Sequence, residues 1–212
     1  MGSTLYFVRH GQSMGNVYKT STGHANLGLS DLGYKQAEIT AKYLQDKNID
    51  IIYSSDLIRA YDTACAFSKV SGIDIIKTER LREIKSGKWE NKRFEDLIVD
   101  FPDTYSVWAN NIGHAKPDGG ESVVELIKRI YDIVEDICIK NDGKSIAIFT
   151  HATPIRAFFS YIENKSIDLI KDKPWANNAS VSIAEYEKGI FKSIEYSIDS
   201  FLDENISKDF WL

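Results

Sequence analysis

Leu5-Tyr6-Phe7-Val8 runs directly into Arg9-His10-Gly11-Gln12-Ser13, and the reading of that junction decides the fold. Four successive apolar residues, two of them aromatic and one β-branched, predict a strand. Arginine, histidine and glycine at its C-terminal tip put polar chemistry where the strand leaves the sheet. Apolar runs of the same length lie at Ile49 to Tyr53, Ile73 to Ile76 and Ile146 to Phe149. All four are nearly continuous in apolar character, the pattern of strands covered on both faces. Ser180 to Tyr186 and Phe191 to Ile198 flank Lys188-Gly189 and predict a hairpin.

Helical patterns fill the intervals. Ser30 is a plausible N-cap for a helix to about Lys47, with Ala37, Ala41 and Leu44 on one face. Ser55 is a cap candidate for a helix over Asp56 to Lys69. Glu121 to Ile139 carries Val123, Leu126, Ile127, Ile130, Val134 and Ile137 at helical spacing, and Ser122 with Glu125 matches a capping box. Another helix is predicted from Pro154 to Ile162, since proline suits the first turn. Strands alternating with helices predict an α/β three-layer sandwich: a mainly parallel central sheet with helices on both faces. The stretch from about Lys85 to Gly120 breaks the alternation. Rich in aromatic residues (Trp89, Phe94, Phe101, Tyr105, Trp108), it reads as a small helical cap insertion.

Composition agrees with this reading. At 212 residues, 43% hydrophobic and 12% aromatic, the chain suits one domain over 1–212 with an elaborated insertion, and it is not a disordered chain. Lys and Arg number 26 against 31 Asp and Glu, a net charge of −5, which disfavours broad binding to nucleic acid or anionic membrane. Cys65 and Cys138 are too few for a disulfide framework, and their apolar neighbours suggest buried helical thiols in a reducing compartment. No apolar run approaches the roughly 18 residues of a membrane span, and no leader pattern precedes the first strand. The expectation is a cytoplasmic protein, monomer or homodimer. The terminal Phe210-Trp211-Leu212 must pack on something or form an exposed patch.

Ligands of open α/β sheets bind beyond the C-terminal ends of the strands. Arg9-His10 follows the first strand, Ser54-Ser55 and then Arg59 the second, and Thr150-His151 the run from Ile146. Each alone has an ordinary structural explanation; together they bring two arginines and two histidines to one rim. Arg59 lies in the first turn of its helix, where a cation opposes the macrodipole, and a bound anion would resolve that conflict. Glu83, soon after the third strand, is a candidate proton donor beside such an anion, because neighbouring negative charge favours the protonated acid. His24 and His114 read as ordinary loop histidines. Neither HExxH nor clustered carboxylates occur, so no metal site is expected.

Leu5 to Ser13 with Asn16 resembles the signature of the histidine phosphatase superfamily, the phosphoglycerate mutase-like proteins. The likeness continues, in family order, through Leu29 to Gly33, Ser54 to Ala60 with Thr63-Ala64, and Leu81-Arg82-Glu83 with Gly87-Lys88-Trp89-Glu90. It is completed by Gly119-Gly120-Glu121-Ser122, Thr150-His151-Ala152 and Asn177 to Ser180. The resemblance implies that His10 is the nucleophile that becomes phosphohistidine. It implies further that Arg9, Arg59 and His151 complete the phosphate pocket and that Glu83 is the general acid. Asn16, Ser13, Thr22 and Gly23 match positions that touch the phosphoryl group or substrate. Gln12 stands where Glu is common, Met14 where an aromatic residue often follows, and Ala152 replaces the usual glycine, leaving a backbone N–H to serve there. Two guanidiniums and a protonatable imidazole can neutralise a phosphoryl group without a metal or other cofactor.

Two reactions share that machinery, hydrolysis and the phosphoglycerate mutase isomerisation. Family mutases carry paired arginines in a longer insertion, whereas the insertion here has only Lys85, Lys88, Lys92, Arg93 and Lys116 as cations. The expectation is therefore a phosphatase acting on a small phosphorylated metabolite. The mutase is the alternative, and a catalytically inactive phosphate-binding module is the reading from another class. The insertion's aromatic residues are equally readable as a pocket lining and as its own small core.

Overall fold

Alternate residues of the central strands enter two separate cores, and this alternation builds the layers. The computed structural model describes residues 2–203 and 206. The strands are Ser3–Arg9 (β1), Ile51–Ser55 (β2), Ile75–Thr78 (β3), Ser145–Thr150 (β4), Val181–Glu187 (β5) and Ile190–Ile198 (β6). The helices are Met14–Val17 (α1), Asp31–Gln45 (α2), Ile58–Ser71 (α3), Phe94–Asp100 (α4), Pro102–Asn110 (α5), Val123–Lys140 (α6) and Ala152–Asn164 (α7). Leu5, Phe7, Tyr53, Ile146 and Ile148 pack against Leu126, Ile130, Ile155 and Phe158 of α6 and α7. Val8, Ile52, Ala147 and Phe149, their sequence neighbours, pack against Ala41, Leu44, Ala64 and Phe67 of α2 and α3.

The sheet order is β3-β2-β4-β1-β5-β6. β1, β2, β3 and β4 run parallel, and β5 and β6 complete the sheet antiparallel. Lys188 and Gly189 both have positive φ, as the tight β5–β6 hairpin turn requires. Arg9 lies opposite Thr150 in the β1–β4 ladder, and Val8 and Ser54 both pair with Phe149. The tips of β1, β4 and β2 therefore end side by side.

Four of the expectations need correction. β3 is an edge strand with Ile76 43% exposed, so it is not covered on both faces; a short apolar run reads the same at an edge as in the middle. α3 starts at Ile58 rather than Asp56, with Leu57 at the N-cap and no side-chain cap, because Ser55 is still in β2. α7 starts at Ala152, two residues before Pro154, and His151 is its N-cap residue. Cys138 is buried, but Cys65 is only half-buried. Ser30 caps α2 and the Ser122–Glu125 box caps α6 as predicted. Phe210-Trp211-Leu212 lies outside the described residues. No helix among the described residues is long and apolar enough to cross a membrane.

Candidate active site

One cavity of about 390 Å³ opens above the tips of β1, β2 and β4. Arg9, His10, Asn16, Arg59, Glu83 and Ala152 line its floor, and Ser13, Thr22 and Gly23 line the wall beside them. His151 is fully buried directly behind, its ring centroid 5.2 Å from that of His10.

His10 leaves β1 with its backbone pinned. Its N–H donates to the Thr150 carbonyl at 3.1 Å, and its own carbonyl accepts from Ala179 N–H and Asn178 Nδ2. Gly11 approaches Gly33 at the start of α2 so closely that a Cβ would lie 2.4 Å from the Gly33 carbonyl oxygen. Nδ1 of His10 lies 2.6 Å from the Gly11 carbonyl. A carbonyl only accepts, so Nδ1 carries the proton and Nε2 keeps its lone pair. Nε2 forms no hydrogen bond with the described residues, and the residue lines the cavity. Burial, then Arg59 and Arg9, push the His10 pKa well below the ordinary 6.5. The imidazole is neutral at pH 7.

Carbonyl groups hold both arginines. Arg59 Nη1 and Nη2 donate to the carbonyls of Ala25 (2.9 Å) and Gly23 (2.8 Å). Gly23 has φ +49, and a Cβ there would meet Ser86 below 3 Å, so glycine is required to aim its carbonyl. Arg9 Nη1 donates to the Ala176 carbonyl at 2.5 Å. Burial lowers the Arg59 pKa to about 10, opposed by the Glu83 charge, and the group remains cationic at pH 7. The start of α3 has less to offer an anion than the sequence suggested. Leu57 N–H donates to Ser55 Oγ and Ile58 N–H to Asn26 Oδ1, so the Arg59 guanidinium, not the helix end, faces the cavity.

Ser55 has a second partner. Its Oγ lies 2.8 Å from His151 Nε2 while accepting from Leu57 N–H at 3.3 Å. That hydroxyl can donate to Nε2 or accept from it, and Nδ1 is a buried atom with no hydrogen-bond partner among the described residues. Burial and then Arg59 hold the His151 pKa well below 6.5, so it is neutral, not the cation the sequence reading allowed.

Glu83 is gripped by backbone. Oε1 accepts from Ile84 N–H at 2.7 Å and Oε2 from Thr153 N–H, in the first turn of α7, at 3.3 Å. Arg82 turns away and forks onto Asp56 at 2.7 and 2.5 Å. His24, expected to be an ordinary loop histidine, has Nε2 2.9 Å from the Glu83 carbonyl. Arg129 donates to the carbonyls of Arg80, Arg82 and Glu83 while binding Glu121 through two nitrogens. His114 Nε2 lies 2.6 Å from Asp168 Oδ1 at an exposed 3-10 turn, away from the cavity.

Ser13 and Asn16 divide their work. Ser13 caps α1, accepting from Asn16 N–H and donating to Asn16 Oδ1. Asn16 Oδ1 also accepts from Ser13 N–H, so its Nδ2 is the amide group left for a ligand. Thr22 Oγ1 bonds back to the Thr20 carbonyl. Ala152 opens α7, and its N–H has no intrahelical acceptor. Sequence reasoning missed Arg156, Lys171 and Trp175, which line the far end of the cavity. The available signal was a lone arginine inside Pro154-Ile-Arg-Ala-Phe-Phe159, an otherwise apolar helix. Among the described residues no group of three or more His, Cys, Asp or Glu is placed to hold a metal ion.

The model of the histidine phosphatase superfamily (branch 1) matches residues 5–199. The chain belongs to the histidine phosphatase superfamily. Within it, phosphoserine phosphatase 1 of Hydrogenobacter thermophilus is 29% identical over 187 residues, covering 87% of each chain. Glucosyl-3-phosphoglycerate phosphatase of Mycolicibacterium vanbaalenii is 27% identical over 208 residues, covering 92% of each. The solved structure of Bacillus stearothermophilus YhfR superposes with a TM-score of 0.90 at 26% identity, over 95% of this chain and all of that one.

Proposed function

We propose that this chain, a phosphatase of the superfamily, hydrolyses small phosphomonoesters through a phosphohistidine on His10. The observation that carries the reading is the His10 imidazole itself. It is neutral, its Nδ1–H is fixed on the Gly11 carbonyl, and its Nε2 is free at a cavity floor flanked by two buried arginines. In-line attack by Nε2 forms the N–P bond as the P–O bond to the alcohol breaks. Glu83, protonated for this step, gives its proton to the departing oxygen, and as carboxylate it then takes one from the water that cleaves the N–P bond. Arg9, Arg59, Asn16 Nδ2, His151 and the Ala152 N–H stabilise the charge on the non-bridging oxygens. Thr22 and Gly23 shape the wall. Ser13 acts indirectly, by orienting Asn16.

The mutase alternative is not favoured: the relatives above are named phosphatases. A cavity of this size and a net charge of −5 suit a small metabolite rather than nucleic acid. The helices between residues 85 and 120 form a cap on one domain, and the two free cysteines fit a reducing, cytoplasmic setting for a monomer or homodimer. The test is turnover of p-nitrophenyl phosphate in EDTA. Wild type is expected to work at full rate, because arginines supply the charge that a metal would otherwise bring, and His10→Asn to lose turnover by on the order of 10⁴-fold or more. Equal rates in the two proteins would remove the mechanism.

A further inference from the structure

Beyond the floor, the cavity is walled by the cap. Trp89 is buried against Phe101, Tyr105 and Trp108, and Trp108 stacks on Trp175 at 6.2 Å. Into this apolar end the chain brings three cations, Lys19, Arg156 and Lys171. Among the described residues none of them forms an ion pair, and Glu83, at the opposite end, is the one acidic side chain of those that line the cavity.

Arg156 is the informative one. It is 8% exposed, its guanidinium carbon lies 4.2 Å from the Trp175 ring centroid, and its Nη2 donates to the Lys171 carbonyl at 3.0 Å. Its Nε is buried and has no hydrogen-bond partner. A guanidinium taken out of water is ordinarily compensated by a carboxylate, because a buried charge with an unmet donor is costly. The Trp175 face offsets part of that cost and fixes the guanidinium plane, but a ring face accepts no in-plane N–H.

We propose that Arg156, supported by Lys171 and Lys19, binds a carboxylate on the alcohol portion of the substrate, so that the enzyme acts on phosphate monoesters of hydroxy acids. The proposal deepens the phosphatase reading and rests on it. A planar guanidinium edge matches a planar carboxylate. Arg156 follows Ala152 by four residues, so one helix, α7, carries both anion-binding groups.

The experiment compares kcat/KM on matched pairs: 3-phosphoglycerate against glycerol 3-phosphate, and phosphoserine against phosphoethanolamine, with p-nitrophenyl phosphate as reference. Wild type is expected to prefer the carboxylated member by on the order of 10- to 100-fold. Arg156→Gln should bring the ratio close to one, and Arg156→Lys should restore part of it. If thermal melts show Arg156→Gln unfolded, Lys171→Met at an exposed position carries the test, with a smaller expected loss of preference. Wild type that turns over p-nitrophenyl phosphate without preferring either carboxylate overturns the proposal and leaves the phosphatase reading intact. Failure on every ester instead strikes the phosphatase reading. Equal losses on both members of each pair in Arg156→Gln would show a merely structural arginine. Preference for a sugar bisphosphate over its monophosphate, without carboxylate discrimination, would assign the site to a second phosphate and overturn the carboxylate.

Discussion

The two ends of the cavity are held in different ways. At the floor, His10, Arg59 and Glu83 are fastened to backbone groups: the Gly11 carbonyl, the Gly23 and Ala25 carbonyls, and the Ile84 and Thr153 N–H groups. At the far end, Trp89, Trp108, Trp175 and Arg156 are held by ring contacts and one carbonyl. Backbone anchors fix an atom to within tenths of an ångström, as a group that transfers phosphoryl must be fixed. Ring packing fixes shape and polarity, which suffices to choose among alcohols. Substitutions at the floor should therefore slow every ester, whereas those at the far end should change the ranking of esters.

The deepest selective break is expected at Glu83. Glu83→Gln should slow alkyl phosphates by on the order of 10²-fold or more, because a poor leaving oxygen needs the proton. An aryl phosphate departs without it, so rapid mixing should show a preserved burst followed by a slow steady rate. Equal slowing of both substrates in the burst would reduce Glu83 to a positioning residue.

A smaller effect is expected at Ser55. Ser55→Ala removes the hydroxyl bonded to His151 Nε2, and kcat should fall by on the order of tenfold for all esters alike. Ser55→Thr should restore most of it. A change confined to one class of alcohol would place His151 at the specificity end and blur the division.

The smallest effect is on stability. His10 and His151 both have pKa values depressed by burial, so the unfolded chain binds protons near pH 6.5 that the folded chain refuses. Their contribution is complete above about pH 6.5 and is lost on acidification below it, by up to roughly 1.4 kcal/mol per pH unit for each. Urea unfolding from pH 7.5 to 5.5 should show a shallower loss in a His10→Asn, His151→Asn double variant than in wild type. Parallel curves would mean that the histidines are not held neutral.

The same division governs what the sequence discloses. His10, Arg59 and His151 each fall within four residues of a strand end, so finding the strands and applying the rule for parallel sheets found the residues. The chemistry around them was less visible. Ser55 reads as a helix cap because serine before a helix usually is one, yet its hydroxyl serves His151. Pro154 suggested the first turn of α7 correctly but not its first residue, and so hid His151 as the N-cap. Ser13 stands in the family motif, while its hydroxyl is spent on Asn16. The far end was the least legible. Lys19, Trp108, Arg156 and Trp175 come from distant segments and meet only once α5 and α7 are packed, and no local periodicity records that meeting.

The central claim is a covalent bond between phosphorus and His10. Rapid acid-free quenching of wild type with an excess of phosphate-labelled aryl ester tests it most directly, followed by base treatment, acid treatment and peptide mapping. Label approaching one per chain is expected on the peptide that contains His10, stable to base, released by acid and absent from His10→Asn. Multiple turnovers with no label on the protein, or label on any other residue, would contradict it.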